Sequence, residues 1–107
     1  MTREKALELV TAELQRAETK HPTWPENRLR QAAIVAEEGG EVLKAGLGII
    51  EFEEQLAGIA HHGYEVTLDH NALASMEEEL VKEAVQTAAM ALRFLVNYRP
   101  LYATNQS

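Results

Sequence analysis

Three carboxylates fall in the five-residue stretch Glu37-Glu38-Gly39-Gly40-Glu41, and a second acidic run, Glu77-Glu78-Glu79, is followed by Glu83 and Gln86. Oxygen donors at this density are the ligand type of a hard divalent cation, Mg²⁺ or Mn²⁺, and not of zinc. On a helix that advances about 100° per residue, Glu38 and Glu41 share a stripe with Gln31, Ile34 and Ala45. Glu79, Glu83, Gln86 and Met90 form a comparable stripe later in the chain. Four carboxylates facing one another across a helical bundle repel by roughly 4 kcal/mol per close pair at an effective dielectric near 20. Cationic side chains, protonation or divalent cations must offset that cost. Spacing alone leaves the ion-pair alternative open, because Lys44 follows Glu41 by three residues and Lys82 follows Glu79 by three. Acidic runs on helices are also commonly just solvated.

Other chemistries find less support. His61, His62 and His70 lie near Glu65 and Asp69 in an expected loop, without the helical ligand spacing of a zinc site, and read as exposed histidines. No cysteine is present, so disulfides, zinc-thiolate sites and thiol nucleophiles are excluded together. There is no Ser-His-Asp grouping, no phosphate-cradling glycine loop and no basic aromatic stripe. The formal charge of 10 − 17 = −7 disfavours nucleic acid and anionic membranes as partners, so a phosphate-bearing ligand would be reached through cations. No signal peptide or membrane span is legible, and a soluble cytoplasmic protein is expected.

The elements that must position these residues are helices. From Thr2 to about Lys20, Leu7, Val10, Leu14 and Ala17 recur at helical spacing, with Thr2 as N-cap. Pro22 and Pro25 stop that helix and set an extended link around Trp24, whose ring is expected to plug the end of the core. A second helix starts near Asn27 and runs through the acidic stretch to Ala45, unless Gly39 ends it. Gly46 to Leu56 either continues it through Leu47 and Ile50 or forms a new helix. The chain is expected to loosen from Gly58 to Gly63 and to form a loop over Glu65 to Asn71, with Thr67, Asp69 or Asn71 capping the next helix. A short strand over Tyr64 to Leu68 would have no partner and is discounted. The last helix spans about Ala72 to Asn97, with Leu80, Ala84, Thr87, Ala88, Ala91 and Leu95 as its packing face.

The run Ile34-Val35-Ala36-Glu37-Glu38-Gly39-Gly40-Glu41-Val42 resembles the ExxE helix of the all-α nucleoside triphosphate pyrophosphohydrolases, the MazG-like superfamily. The likeness extends over roughly His21 to Asn97, with Glu83-Ala84-Val85-Gln86 as counterpart of the family's ExxD motif and a glutamine in place of its aspartate. The resemblance implies Mg²⁺ (or Mn²⁺) held by Glu38, Glu41 and Glu83, with Gln86 as an uncharged ligand; Glu79, one turn before Glu83, is placed by the helical period to supply the missing charge. It implies Glu38 and Glu41 as the catalytic pair, in the hydrolysis of a (d)NTP to a (d)NMP and pyrophosphate. By position in the chain alone, Lys82, Arg93 and Asn97, at or beyond the motif helix, are the candidates for the phosphate side of a substrate, and Trp24 and His21 for the base side. Glu41 and Glu83 are farther apart in sequence than is usual for the family, which marks residues 45–75 as an insertion. The resulting expectation is an all-α bundle of about four helices, one domain over residues 1–107, working as a homodimer or higher homo-oligomer. Two alternatives are a non-catalytic helical dimer or regulatory subunit with a degraded metal set, and a plain cation- or nucleotide-binding module.

Overall fold

The computed structural model describes residues 1–63 and 70–100, and within them the chain forms three helices and no strand. α1 spans Arg3–Lys20, α2 Arg28–His61 and α3 His70–Asn97. The all-α class is as expected; the count of about four helices is not, since three are present among the described residues. Residues 64–68, where a strand is discounted, and the candidate caps Thr67 and Asp69 lie outside the described residues.

α1 opens as the composition dictates, with the Thr2 hydroxyl accepting from the Lys5 N–H at 3.1 Å. Lys5 and Glu8 pair on its exposed side at 3.8 Å, a contact of little energetic weight. The prolines then hold the chain extended to Asn27, whose side chain accepts from the Arg30 N–H at 3.1 Å and starts α2. α2 runs unbroken through all four glycines between residues 39 and 48 and reaches His61, so neither a stop at Gly39 nor loosening at Gly58 occurs. Each glycine costs about 1 kcal/mol, a local penalty that a continuous packed seam outweighs. That seam steps by four and three through Gln31, Val35, Glu38, Val42, Ile49 and Phe52, all buried or half-buried. Likewise His70 and Asn71 belong to α3 and not to a loop.

α3 is the shared element: α1 and α2 each pack on it and make no contact with one another. Two neighbours cannot cover a helix, and the apolar interior is correspondingly thin. Ala17 and Ala89 are its fully buried apolar residues among those described. Several expected core positions are therefore exposed: Leu7 by 59% and Leu95 by 68%, together with Ala84 and Ala88. α1 instead turns Val10, Leu14 and Ala17 toward α3. The molecule measures 68 × 28 × 23 Å with a radius of gyration of 19.0 Å. A compact domain of this length would have about 13 Å.

Candidate metal centre

The seam between α2 and α3 opens midway into a cleft of about 340 Å³ lined by Glu41, Lys44, Ala45, Gly48, Met76, Glu79 and Glu83. The small residues Ala45 and Gly48 create the space, and a Cβ added at Gly48 would meet Met76 Cε at 3.8 Å. Glu83 is half-buried in this wall. Burial pushes its carboxyl above the usual range, and the Glu79 carboxyl, within hydrogen-bonding reach, adds to the shift, as do the negative charges of Glu79, Glu38 and Glu41. Two helices thus bring the charges of Glu38, Glu41 and Glu79 to bear on Glu83. Among the described residues no ion pair joins Lys44 to Glu41 or Lys82 to Glu79, the pairs spacing had left open. Nor do any three described His, Asp or Glu side chains converge tightly enough in this conformation to grip one ion. The donor set nevertheless fits a hard cation chemically: it is all oxygen, anionic, mutually repelling and open to solvent on one side.

The raised Glu83 carboxyl has a measurable consequence. A group whose pKa is higher folded than unfolded contributes stability below the unfolded value and loses it as pH rises through the folded one. Without divalent cations the melting temperature is therefore expected to fall as pH climbs from about 4 through the Glu83 titration. Glu83→Gln should flatten that slope and raise the melting temperature at pH 7, measured by circular dichroism in chelator.

The expected stripe of Glu79, Glu83, Gln86 and Met90 divides. Glu79 and Glu83 line the cleft with α2, whereas Gln86 and Lys82 line a separate cleft of about 660 Å³ against α1, beside Glu13, Arg16 and Lys20. There the Arg16 Nε donates to Glu13 Oε2 at 2.9 Å and holds the Glu13 carboxyl below its usual range. The division arises because α3 has a neighbour on each of two sides.

Apart from Lys82, the residues expected on the substrate side gather elsewhere, around the proline link and the end of α3 that packs on it. Arg93 is only 5% exposed. Its Nη2 donates to the His21 carbonyl at 2.6 Å and reaches the Thr23 carbonyl at 3.4 Å, while its guanidinium lies 5.0 Å from the Trp24 ring centroid. Asn97 Nδ2 donates to the Arg93 carbonyl at 2.8 Å, within α3. Trp24 is half-buried, and on its other side an opening of about 480 Å³ is bordered by Arg30, Ile34 and Glu37. Gln31 completes the fastening, donating from Nε2 to the Pro25 carbonyl at 2.7 Å. Sequence reasoning missed this role for Arg93 and Gln31. The signal was present: Arg93 is the one charged residue between Thr87 and Tyr98, with no carboxylate a helical turn away. A cation so placed must find carbonyls or an aromatic face. Lys44, which lines the carboxylate cleft, was read only as a neutralising partner.

No family model matches the chain, nor does any curated protein or solved structure.

Proposed function

We propose that the chain is a Mg²⁺-dependent nucleoside triphosphate pyrophosphohydrolase, converting a (d)NTP to a (d)NMP and pyrophosphate. One observation carries the reading: four carboxylates from two helices share a field strong enough to help push Glu83 upward, beside a solvent-open cleft whose lysine pairs with none of them. The likeness of residues 34–42 to the ExxE helix of the MazG-like superfamily supports it. Glu38, Glu41 and Glu83 would hold the metal, and Glu79 provides the charge that Gln86 lacks. When bound, Mg²⁺ neutralises the triphosphate and lowers the pKa of an attacking water. The carboxylates orient that water toward the α-phosphorus, and the P–O bond to the departing pyrophosphate breaks as the water oxygen bonds. A carboxylate of the pair Glu38 and Glu41 takes up the water proton. Lys44, on the rim with Glu41, offers an ammonium to a phosphate oxygen. The enzyme is read as a cytoplasmic homo-oligomer without nucleic-acid or membrane partners. No described helix is long and apolar enough to cross a membrane.

A non-catalytic helical subunit is the second reading, favoured by the position of Gln86 away from the carboxylate cleft. Incubation with canonical and modified (d)NTPs and Mg²⁺ separates the two. The enzyme releases equimolar monophosphate and pyrophosphate from at least one of them. A subunit with a degraded site releases neither and shows no Mg²⁺ binding by calorimetry, whereas a binding module takes up the cation without turnover.

A further inference from the structure

α2 carries two apolar seams on opposite faces. One packs on α3; the other steps by four and three from residue 29 to residue 57 and is exposed at every position. Its large members are uncovered to an extent unusual for a folded chain: Leu29 by 78%, Leu43 by 65%, Leu47 by 49% and Ile50 by 51%. At about 1.5 Å per residue the seam is roughly 40 Å long. We infer that a second copy of this chain covers it, its α2 lying antiparallel to the first across a two-fold axis at Leu43.

Three features choose a second copy over another partner. The seam is self-complementary when reversed. Turning α2 about Leu43 sets Leu47 against Gly39 and Gly40, Ile50 against Ala36 and Leu29 against Ala57, so that each of these three large side chains meets a small one while Leu43 packs on its own copy at the axis. Glu54, the charged position of the seam, then falls toward an end of the contact where water reaches it. Next, glycines 39, 40 and 46 have nothing within 4 Å of an added Cβ, so no contact within the chain accounts for their cost to the helix. Close approach of a second helix does. Finally, the accessible surface is 8498 Å². A folded monomer of this mass exposes about 5,900 Å², and the excess of roughly 2,600 Å² is at the upper end of the about 1,000–2,500 Å² per chain that obligate homodimers bury. The inference names the contact of the homo-oligomer proposed above and stands apart from the nucleotide chemistry, since its test requires no turnover.

The chain has no cysteine, so single thiols report the interface directly. In the full chain, Leu43→Cys is expected to join to itself with a short thiol-reactive cross-linker. Leu29→Cys, whose two copies would lie roughly 40 Å apart, should not, whereas mixed Ala36→Cys and Ile50→Cys chains should join to each other. Sedimentation should give twice 11.9 kDa for the native chain and a monomer for Leu47→Glu with its helicity retained. Val81→Glu, on the exposed face of α3, should leave the dimer intact. A monomeric native chain overturns the inference. So does efficient Leu29→Cys self-joining, which indicates a parallel pair, or dissociation by Val81→Glu but not by Leu47→Glu, which moves the contact to α3.

Discussion

Glu41→Gln is expected to lower pyrophosphate release by more than about 100-fold and to abolish tight Mg²⁺ binding, while Glu51→Gln leaves both unchanged. The position of Glu41 sets the magnitude. Loss of a neighbour that merely orients a metal ligand typically costs 10- to 100-fold, and a ligand itself is worth at least that. Glu41 borders the cleft with Glu79 and Glu83, and its charge is among those acting on the Glu83 carboxyl. Glu51 lies nearly three turns farther along α2, exposed and outside the cleft. The amide of glutamine keeps the size and an oxygen donor, so the substitution isolates the charge. Because it also removes a like charge from an overcrowded wall, Glu41→Gln should melt no lower than the native chain in chelator. A defect in turnover without a defect in folding is the signature of a ligand. Equal turnover in Glu41→Gln and the native chain, measured at saturating Mg²⁺, would remove Glu41 from the metal site.

Arg93→Ala is expected to destabilise the chain by at least about 3 kcal/mol, because it removes charge-assisted hydrogen bonds to two carbonyls and a desolvated cation–π contact. For a chain of this size that corresponds to a drop of more than about 10 °C in melting temperature. The His21 and Thr23 carbonyls lose their donor, and the link that starts α2 loses its anchor to α3. Arg93→Lys should recover little of this, because a single ammonium cannot bond the carbonyls and stack on the indole at once. Trp24 is the sole tryptophan, so release of the link reads out directly as a red shift in its fluorescence. Arg28→Ala, which removes one exposed bond to the Arg99 carbonyl, should stay within about 0.5 kcal/mol of the native chain. A phosphate-binding role for Arg93 predicts the opposite pattern: an unchanged melting temperature in Arg93→Lys with a raised KM. The burial of Arg93 and its backbone partners favour the structural outcome.

The features that the chain alone determined are local. Thr2 and Asn27 start helices because their side chains accept backbone N–H groups three residues on, and Pro22 and Pro25 separate α1 from α2 because they cannot continue a helix. The spacing of Glu38 and Glu41, and of Glu79 and Glu83, comes from the helical period and needs no tertiary information. That α2 and α3 bring these pairs near one another, and that burial first and the neighbouring carboxylates second raise Glu83, is a matter of packing. Packing also decided three things that composition left open. α2 continues through its glycines to His61, because a local helix penalty is smaller than the seam it would interrupt. Gln86 parts from Glu83, because α3 has one neighbour on each of two sides and a stripe this wide cannot face both. Which apolar face of α2 meets α3 was not legible either, since both repeat at the same period; only contact with α3 buries one and leaves Leu43, Leu47 and Ile50 in solvent. Periodicity specifies that a helix has a face to bury. The partner it is buried against depends on the shapes and charges of residues far away in the chain.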